Sequence, residues 1–265
     1  MNLNLKHAQT TAVAAAKTVG ALMRKHLNGP KRAHSVTQHD IKLELDVRSQ
    51  TLIEKKLRSA FPQIALLGEE GVLGDPESAS RWVVDPIDGT VNFAYGIPHA
   101  CVSIALQQRA ETEGASASGY QTMLGVVYDP FCDELWTAIR GRAARLNGKI
   151  IRVSQRRKLS EAIVSIGFAK SRESLEATLP YFNKLAHRVR KIRMMGAAAL
   201  GLAYVAAGRF DAYIESGIRL WDIAAGGLIL ECAGGDFCHT PIPGDYAYRM
   251  VASNGCLRRD LQIPD

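Results

Sequence analysis

The chain has 265 residues, 47% of them hydrophobic and 22% charged, with a formal net charge of +7. That composition belongs to a folded globular protein, long enough for one large α/β domain or two joined lobes, and it excludes a disordered or low-complexity chain. No apolar run approaches the roughly 18 residues that cross a bilayer. Five cysteines with no Cys-x-x-Cys pair point to free thiols rather than a disulfide framework or zinc.

In chain order, the first element is an amphipathic helix over 6–27. Lys17 interrupts the weak apolar block that would otherwise pass for a signal peptide, so the protein is expected in the cytoplasm. A polar loop, NGPKRAHSVTQHD, leads to a helix from Val47 to Ala60, stopped by Pro62. Strands follow at Ile64–Leu67, Trp82–Asp85, Ala100–Gln107, Leu124–Tyr128 and Glu134–Ile139, then a hairpin whose turn is Asn147-Gly148. RAETEGASASG reads as a flexible hairpin loop. After residue 160 the rhythm alternates: strand 163–167, helix 174–187, strand 190–194, helix 197–207, strand 210–214, helix 223–232 and strand 249–253. The expected class is α/β: an α+β lobe over 1–145, then an α/β lobe over 146–265, with the ligand cleft between them.

Acidic residues stand where these elements end. Asp85 and Asp88 follow the strand WVV within WVVDPIDGT; Glu69 and Glu70 sit in LLGEEG; Asp40 and Asp46 lie in HDIKLELD; Asp222 opens a helix in RLWDIAAGG. Singly, Asp46 and Asp222 read as helix N-caps, Asp88-Gly89 as a turn and the glutamates as a solvated loop. The Asp85–Asp88 pair resists that reading, because two carboxylates so close repel unless a cation lies between them. Gly89-Thr90 looks like the start of a short helix, whose N–H groups suit a phosphate. Oxygen-only candidate ligands select Mg²⁺ or Mn²⁺ over zinc.

WVVDPIDGTVNF and WDIAAGGLILECAGG resemble the two signatures of the inositol monophosphatase family, with GEE upstream of the first and GAAALGLAYVAAGRFDAYIESGIRLWD leading into the second. The resemblance spans nearly the whole chain, as a single domain, and implies a layered α/β/α/β/α fold. It implies that Glu69, Asp85 and the Ile87 carbonyl hold one Mg²⁺, and that Asp85, Asp88 and Asp222 hold a second, with two to three ions in all. It further implies that Thr90 and Asp46 orient and deprotonate the attacking water. The same resemblance implies that the Gly89 and Thr90 amides bind phosphate, that Gly196, Ala197 and Ala198 line the substrate pocket, and that Glu215 accepts hydrogen bonds from sugar-like hydroxyls. Lithium sensitivity and a homodimer come with the same resemblance. Lys42-Leu43 stands where relatives carry Val-Thr, and Ala197 where many carry Ser or Thr. The expected reaction is hydrolysis of inositol 1-phosphate, with fructose 1,6-bisphosphate, 3′-phosphoadenosine 5′-phosphate and histidinol phosphate as rivals.

Charge patterning adds one feature. Residues 140–158 hold eight basic side chains and no acid, and a second group comprises Lys184, Arg188, Arg190, Lys191 and Arg193. Such faces attract anions or nucleic acid. The family resemblance adds a transcription assembly such as RNA polymerase, which some bacterial relatives bind, as a partner for the 140–158 patch. A solvated surface is the favoured reading, with no membrane partner.

Overall fold

The described residues build two large sheets, with helices on and between them, and one two-stranded pair. The computed structural model describes residues 3–36, 41–110, 119–168 and 172–261. Helix α1 (Leu5–His26) starts where Asn4 Oδ1 accepts from His7 N at 3.1 Å, and buries a stripe of Ala8, Ala12, Ala15, Ala16, Val19 and Met23. Strands β1 (Ala33–Val36) and β2 (Ile41–Leu43) pair with each other, and α2 (Glu44–Ala60) follows directly. Next come β3 (Ala65–Gly68), β4 (Gly71–Leu73), β5 (Ser80–Asp88) and the single-turn α3 (Thr90–Ala94). The meander β6 (Cys101–Arg109), β7 (Tyr120–Asp129), β8 (Glu134–Ile139), β9 (Arg145–Leu146) and β10 (Lys149–Ile150) completes an eight-stranded sheet of order β10-β9-β8-β7-β6-β5-β3-β4. Its pairings are antiparallel except β3 with β5.

The second half supplies β11 (Ile163–Ile166), α4 (Arg172–Ala186), β12 (Lys191–Arg193), α5 (Ala198–Ala206), β13 (Ala212–Arg219), α6 (Leu220–Cys232), β14 (Asp236–Pro241) and β15 (Ala247–Ser253). Its sheet runs β12-β11-β13-β15-β14, with β11 parallel to both neighbours. Helices α1 and α2 cover one face of the large sheet; α5 and α6 lie between the sheets; α4 covers the far face of the small one. This is the layered α/β/α/β/α arrangement expected from the sequence. Helices α5 and α6 are apolar around most of their circumference and buried on every side, which suits a middle layer and no other. Close approach is enforced at Gly125 on β7, where a Cβ would lie 2.6 Å from Ala225 O of α6. That contact carries the start of α6, with Asp222, to the end of β5.

Several elements differ from their sequence reading. The loop expected over 28–40 contains β1, and its residues 37–40 lie outside the described residues. Helix α2 begins three residues before Val47, because Asp46 in its first turn accepts from Leu43 N at 2.7 Å; Asp46 is therefore an N3 residue, not the N-cap. The strand read as 210–214 continues to Arg219 through a bulge at Gly217 (φ +88°), so Glu215 lies within the strand rather than at its end. Helix α6 begins at Leu220, three residues before the expected start, and Asp222 is again N3, accepting from Arg219 N at 2.8 Å. Strands β4 and β14 carried no alternating signal because both are exposed edges. The loop read as RAETEGASASG lies largely outside the described residues, and β6 and β7 on either side of it are antiparallel neighbours.

Candidate active site

The local structure of β5 explains how two aspartates three residues apart converge. On a regular strand, residues 85 and 88 would project from opposite faces. Asp85 pairs with Ser103 and Asp88 with Cys101, so β5 spends three steps where β6 spends two. The extra residue is a β-bulge at Asp85-Pro86-Ile87, a position that tolerates proline's missing N–H. It turns both carboxylates to one side. Asp85, Asp88 and Asp222 each offer an oxygen within 4.8 Å of the others, and Asp85 and Asp88 are almost fully buried.

Around them is a cleft of about 400 Å³ whose lining includes Glu69, Asp85, Ile87, Asp88, Gly89, Thr90, Gly196, Ala197, Ala198, Glu215 and Asp222. Asp46, alone of the residues singled out in the sequence for a site role, is not in that lining. It is 2% exposed; Oδ2 takes the Leu43 amide and Oδ1 has no hydrogen-bond partner among the described residues. Thr90 Oγ1 donates to the Ile87 carbonyl at 2.8 Å, so the two side chains are not hydrogen-bonded to each other. Gly89 caps α3 in the left-handed region (φ +90°), and a Cβ there would lie 2.9 Å from His99 O and 3.1 Å from the Ala197 side chain. Asn92 ties this turn to the opposite wall, its Nδ2 donating to His99 O at 2.9 Å and Met195 O at 2.8 Å.

Repulsion and burial set the electrostatics. Asp85 is pushed well above the usual carboxylate range by burial, then by the charges of Glu69, Asp88 and Asp222. Asp88 rises to about 6, mainly by burial, although the Ala198 and Ala199 amides, at 3.0 and 2.7 Å, favour its charge. Those bonds give Asp88 a second task. Helix α5 starts at Ala197-Ala198, which have no capping side chain, and the Asp88 carboxylate supplies the cap from 110 residues away. Asp46 rises to about 8, again chiefly by burial. A dense, oxygen-only, buried carboxylate set whose members resist ionisation is what a hard divalent cation would relieve.

Sequence reasoning missed one buried neighbour of the aspartates, which lies behind the cleft, and several residues of the cleft wall. Cys101, fully buried, brings Sγ to 3.5 Å from Asp88 Oδ2, a contact set by strand pairing alone. Ser165, Gly167, Phe168, Met194 and Tyr213 line the cleft. Of these, Tyr213 was legible in principle: it lies two residues before Glu215 on one strand and therefore on the same face.

The profile of the inositol monophosphatase family matches residues 4–254. The chain belongs to the inositol monophosphatase family. Among curated relatives it is 39% identical over 236 residues to "Nus factor SuhB" of Xylella fastidiosa, covering 88% of this chain and 82% of that protein. It is 37% identical over 241 residues to "Inositol monophosphatase 1" of Solanum lycopersicum, covering 88% and 85%. Among solved structures, the inositol monophosphatase from Anabaena superposes with a TM-score of 0.83 at 33% identity, over 99% of this chain and 98% of that one. The extragenic suppressor protein SuhB from Bartonella henselae superposes with a TM-score of 0.86 at 32% identity, over 96% of each chain, so solved proteins of both names resemble this fold.

Proposed function

We propose that this family member hydrolyses a phosphate monoester, inositol 1-phosphate, in a Mg²⁺-dependent reaction. The observation that carries the proposal is the bulge in β5, which gathers Asp85 and Asp88 with Asp222 in one cleft. Glu69, Asp85 and the Ile87 carbonyl would hold one cation, and Asp85, Asp88 and Asp222 a second. When bound, Mg²⁺ supplies the positive charge that offsets the phosphoryl oxygens and the departing alkoxide. The chain's own groups do the rest. The amides of Gly89 and Thr90 seat the phosphate at the start of α3. Thr90 would orient the attacking water and, with its hydroxyl turned from the Ile87 carbonyl, relay a proton to Asp46. Burial raises the Asp46 pKa to about 8, and bound cations would lower it so that the carboxylate can act as the base near neutral pH. Glu215 accepts hydrogen bonds from ring hydroxyls and repels a second phosphate, disfavouring bisphosphates. Gly196, Ala197 and Ala198 form the wall beside it.

A substrate panel with Mg²⁺ tests the proposal. Inositol 1-phosphate should give the highest kcat/KM, ahead of fructose 1,6-bisphosphate, 3′-phosphoadenosine 5′-phosphate and histidinol phosphate. A preference for fructose 1,6-bisphosphate would overturn the substrate assignment. Exposed Val91, Tyr95, Ile97 and Met194 near the cleft support a homodimer, which light scattering would measure. We place the activity in the cytoplasm.

A second reading has support of its own. Of the 33 Lys and Arg side chains, eight lie at 140–158, leaving 25 against 26 acids elsewhere, so the chain's positive excess lies in that one segment. Arg142, Arg145, Lys149, Arg152, Arg157 and Lys158 are exposed there. Together with the Nus-factor name of the relatives, this favours an added role in a transcription assembly. A salt-sensitive pull-down of RNA polymerase or RNA, lost when these side chains are changed to glutamine, tests it; retention by the variant would refute it.

A further inference from the structure

Tyr213 and Glu215 stand two residues apart on β13, project from one face and both line the cleft. Tyr213 Oη donates to Glu215 Oε2. Two glycines on other elements make room for the pair. A Cβ on Gly201, within α5, would lie 2.9 Å from Tyr213 Cδ1, so the tyrosine ring rests against the helix backbone. A Cβ on Gly167 would overlap the Glu215 carboxylate, which lies directly over that backbone. Gly167 N in turn donates to Ile214 O at 3.0 Å, fixing the end of β11 against β13. Glycine inside a helix is ordinarily disfavoured. At position 201 its missing side chain is filled by the ring.

We propose that Tyr213 is a positioning residue for Glu215: its hydroxyl and the bare backbone of Gly167 hold the carboxylate in one orientation toward the cleft, making the three residues a unit that selects phosphate esters of polyols. The inference rests on the reading of Glu215 as an acceptor for ring hydroxyls. Tyr213 is 4% exposed and wedged between β13 and α5, so its hydroxyl has little freedom to turn elsewhere. Burial and the neighbouring carboxylate also keep its phenol protonated, so it remains a donor throughout the neutral range. Without that hydroxyl the carboxylate gains rotamers, and each ring hydroxyl must then order it on binding.

Steady-state kinetics on inositol 1-phosphate and on p-nitrophenyl phosphate, which has no ring hydroxyl, tests the assignment. Tyr213→Phe should raise KM for inositol 1-phosphate about tenfold, the loss of roughly one charge-assisted hydrogen bond. Its kcat should hold, and KM for p-nitrophenyl phosphate should move far less. The double variant with Glu215→Gln should be no worse than Glu215→Gln alone. Gly167→Ala, which displaces the carboxylate without touching the tyrosine, should give the same split and decides the matter where Tyr213→Phe does not fold. Equal losses on both esters, or additive losses in the double variant, would overturn the inference. If Glu215→Gln raises KM for inositol 1-phosphate while Tyr213→Phe and Gly167→Ala do not, the positioning role falls and the acceptor reading stands. If Glu215→Gln itself leaves that KM unchanged, the acceptor reading falls and takes the inference with it.

Discussion

Replacing Asp46 with asparagine should strengthen the fold and weaken the enzyme. Asp46 is 2% exposed, its Oδ1 lacks a hydrogen-bond partner among the described residues, and its pKa rises from 3.8 to about 8. A carboxyl whose folded pKa is raised binds its proton more tightly in the native state. Its contribution is therefore best below pH 3.8 and is lost progressively until the pH reaches about 8. At pH 7 that interval amounts to a cost of about 4 kcal/mol, and at pH 5.5 about 2 kcal/mol. Asparagine has the same shape, needs no proton, and can still accept from Leu43 N. Urea unfolding in EDTA should show Asp46→Asn more stable than wild type by an amount that grows from pH 5.5 to pH 7. Added Mg²⁺ should narrow the gap, since nearby cations favour the carboxylate. Meanwhile kcat should fall by about 10² to 10⁴, the range for a lost general base. An asparagine variant that is less stable, or a gap that does not change with pH, would refute the reasoning.

Thr90→Ala should lose kcat to a similar extent, and the double variant with Asp46→Asn should be barely worse than either single; additive losses would separate the two residues. Adding Mg²⁺ to EDTA-treated protein should raise the melting temperature, one ion at 100 times its dissociation constant contributing about 2.7 kcal/mol. The effect should be larger above pH 6 than below it, because Asp88 ionises at about 6. Gly89→Ala should cost about 1–3 kcal/mol in urea unfolding, since alanine must adopt φ +90° with its methyl 2.9 Å from His99 O. Lithium should inhibit phosphate release, checked by titration at fixed Mg²⁺.

How much of this was legible in the sequence depends on the range of each interaction. Asp85, Asp88 and Gly89 sit within five residues, so their convergence needs only one strand and one turn, and the motif displayed it. The long helices and central strands announced themselves by apolar period. Strands β4 and β14 did not, being exposed edges whose partners supply their hydrogen bonds. The start of α5 was legible as a helix, yet nothing local shows that Asp88 caps it, because that contact joins residues 110 positions apart. Cys101 against Asp88 is equally invisible, a product of the bulged register between β5 and β6. Asp46 was read as a helix cap or a base; its orphaned Oδ1 and its depth below the cleft required packing that no local pattern encodes.

The most direct test of the account is the initial rate of phosphate release from inositol 1-phosphate as Mg²⁺ is titrated into metal-free protein, in wild type and in Asp85→Asn. The wild-type rate should rise from background and saturate. Asp85→Asn should stay at background at every Mg²⁺ concentration, because Asp85 belongs to both proposed cation sites. Release in EDTA equal to release in Mg²⁺, or undiminished release by Asp85→Asn, would contradict the claim that the bulged aspartate pair is the seat of catalysis.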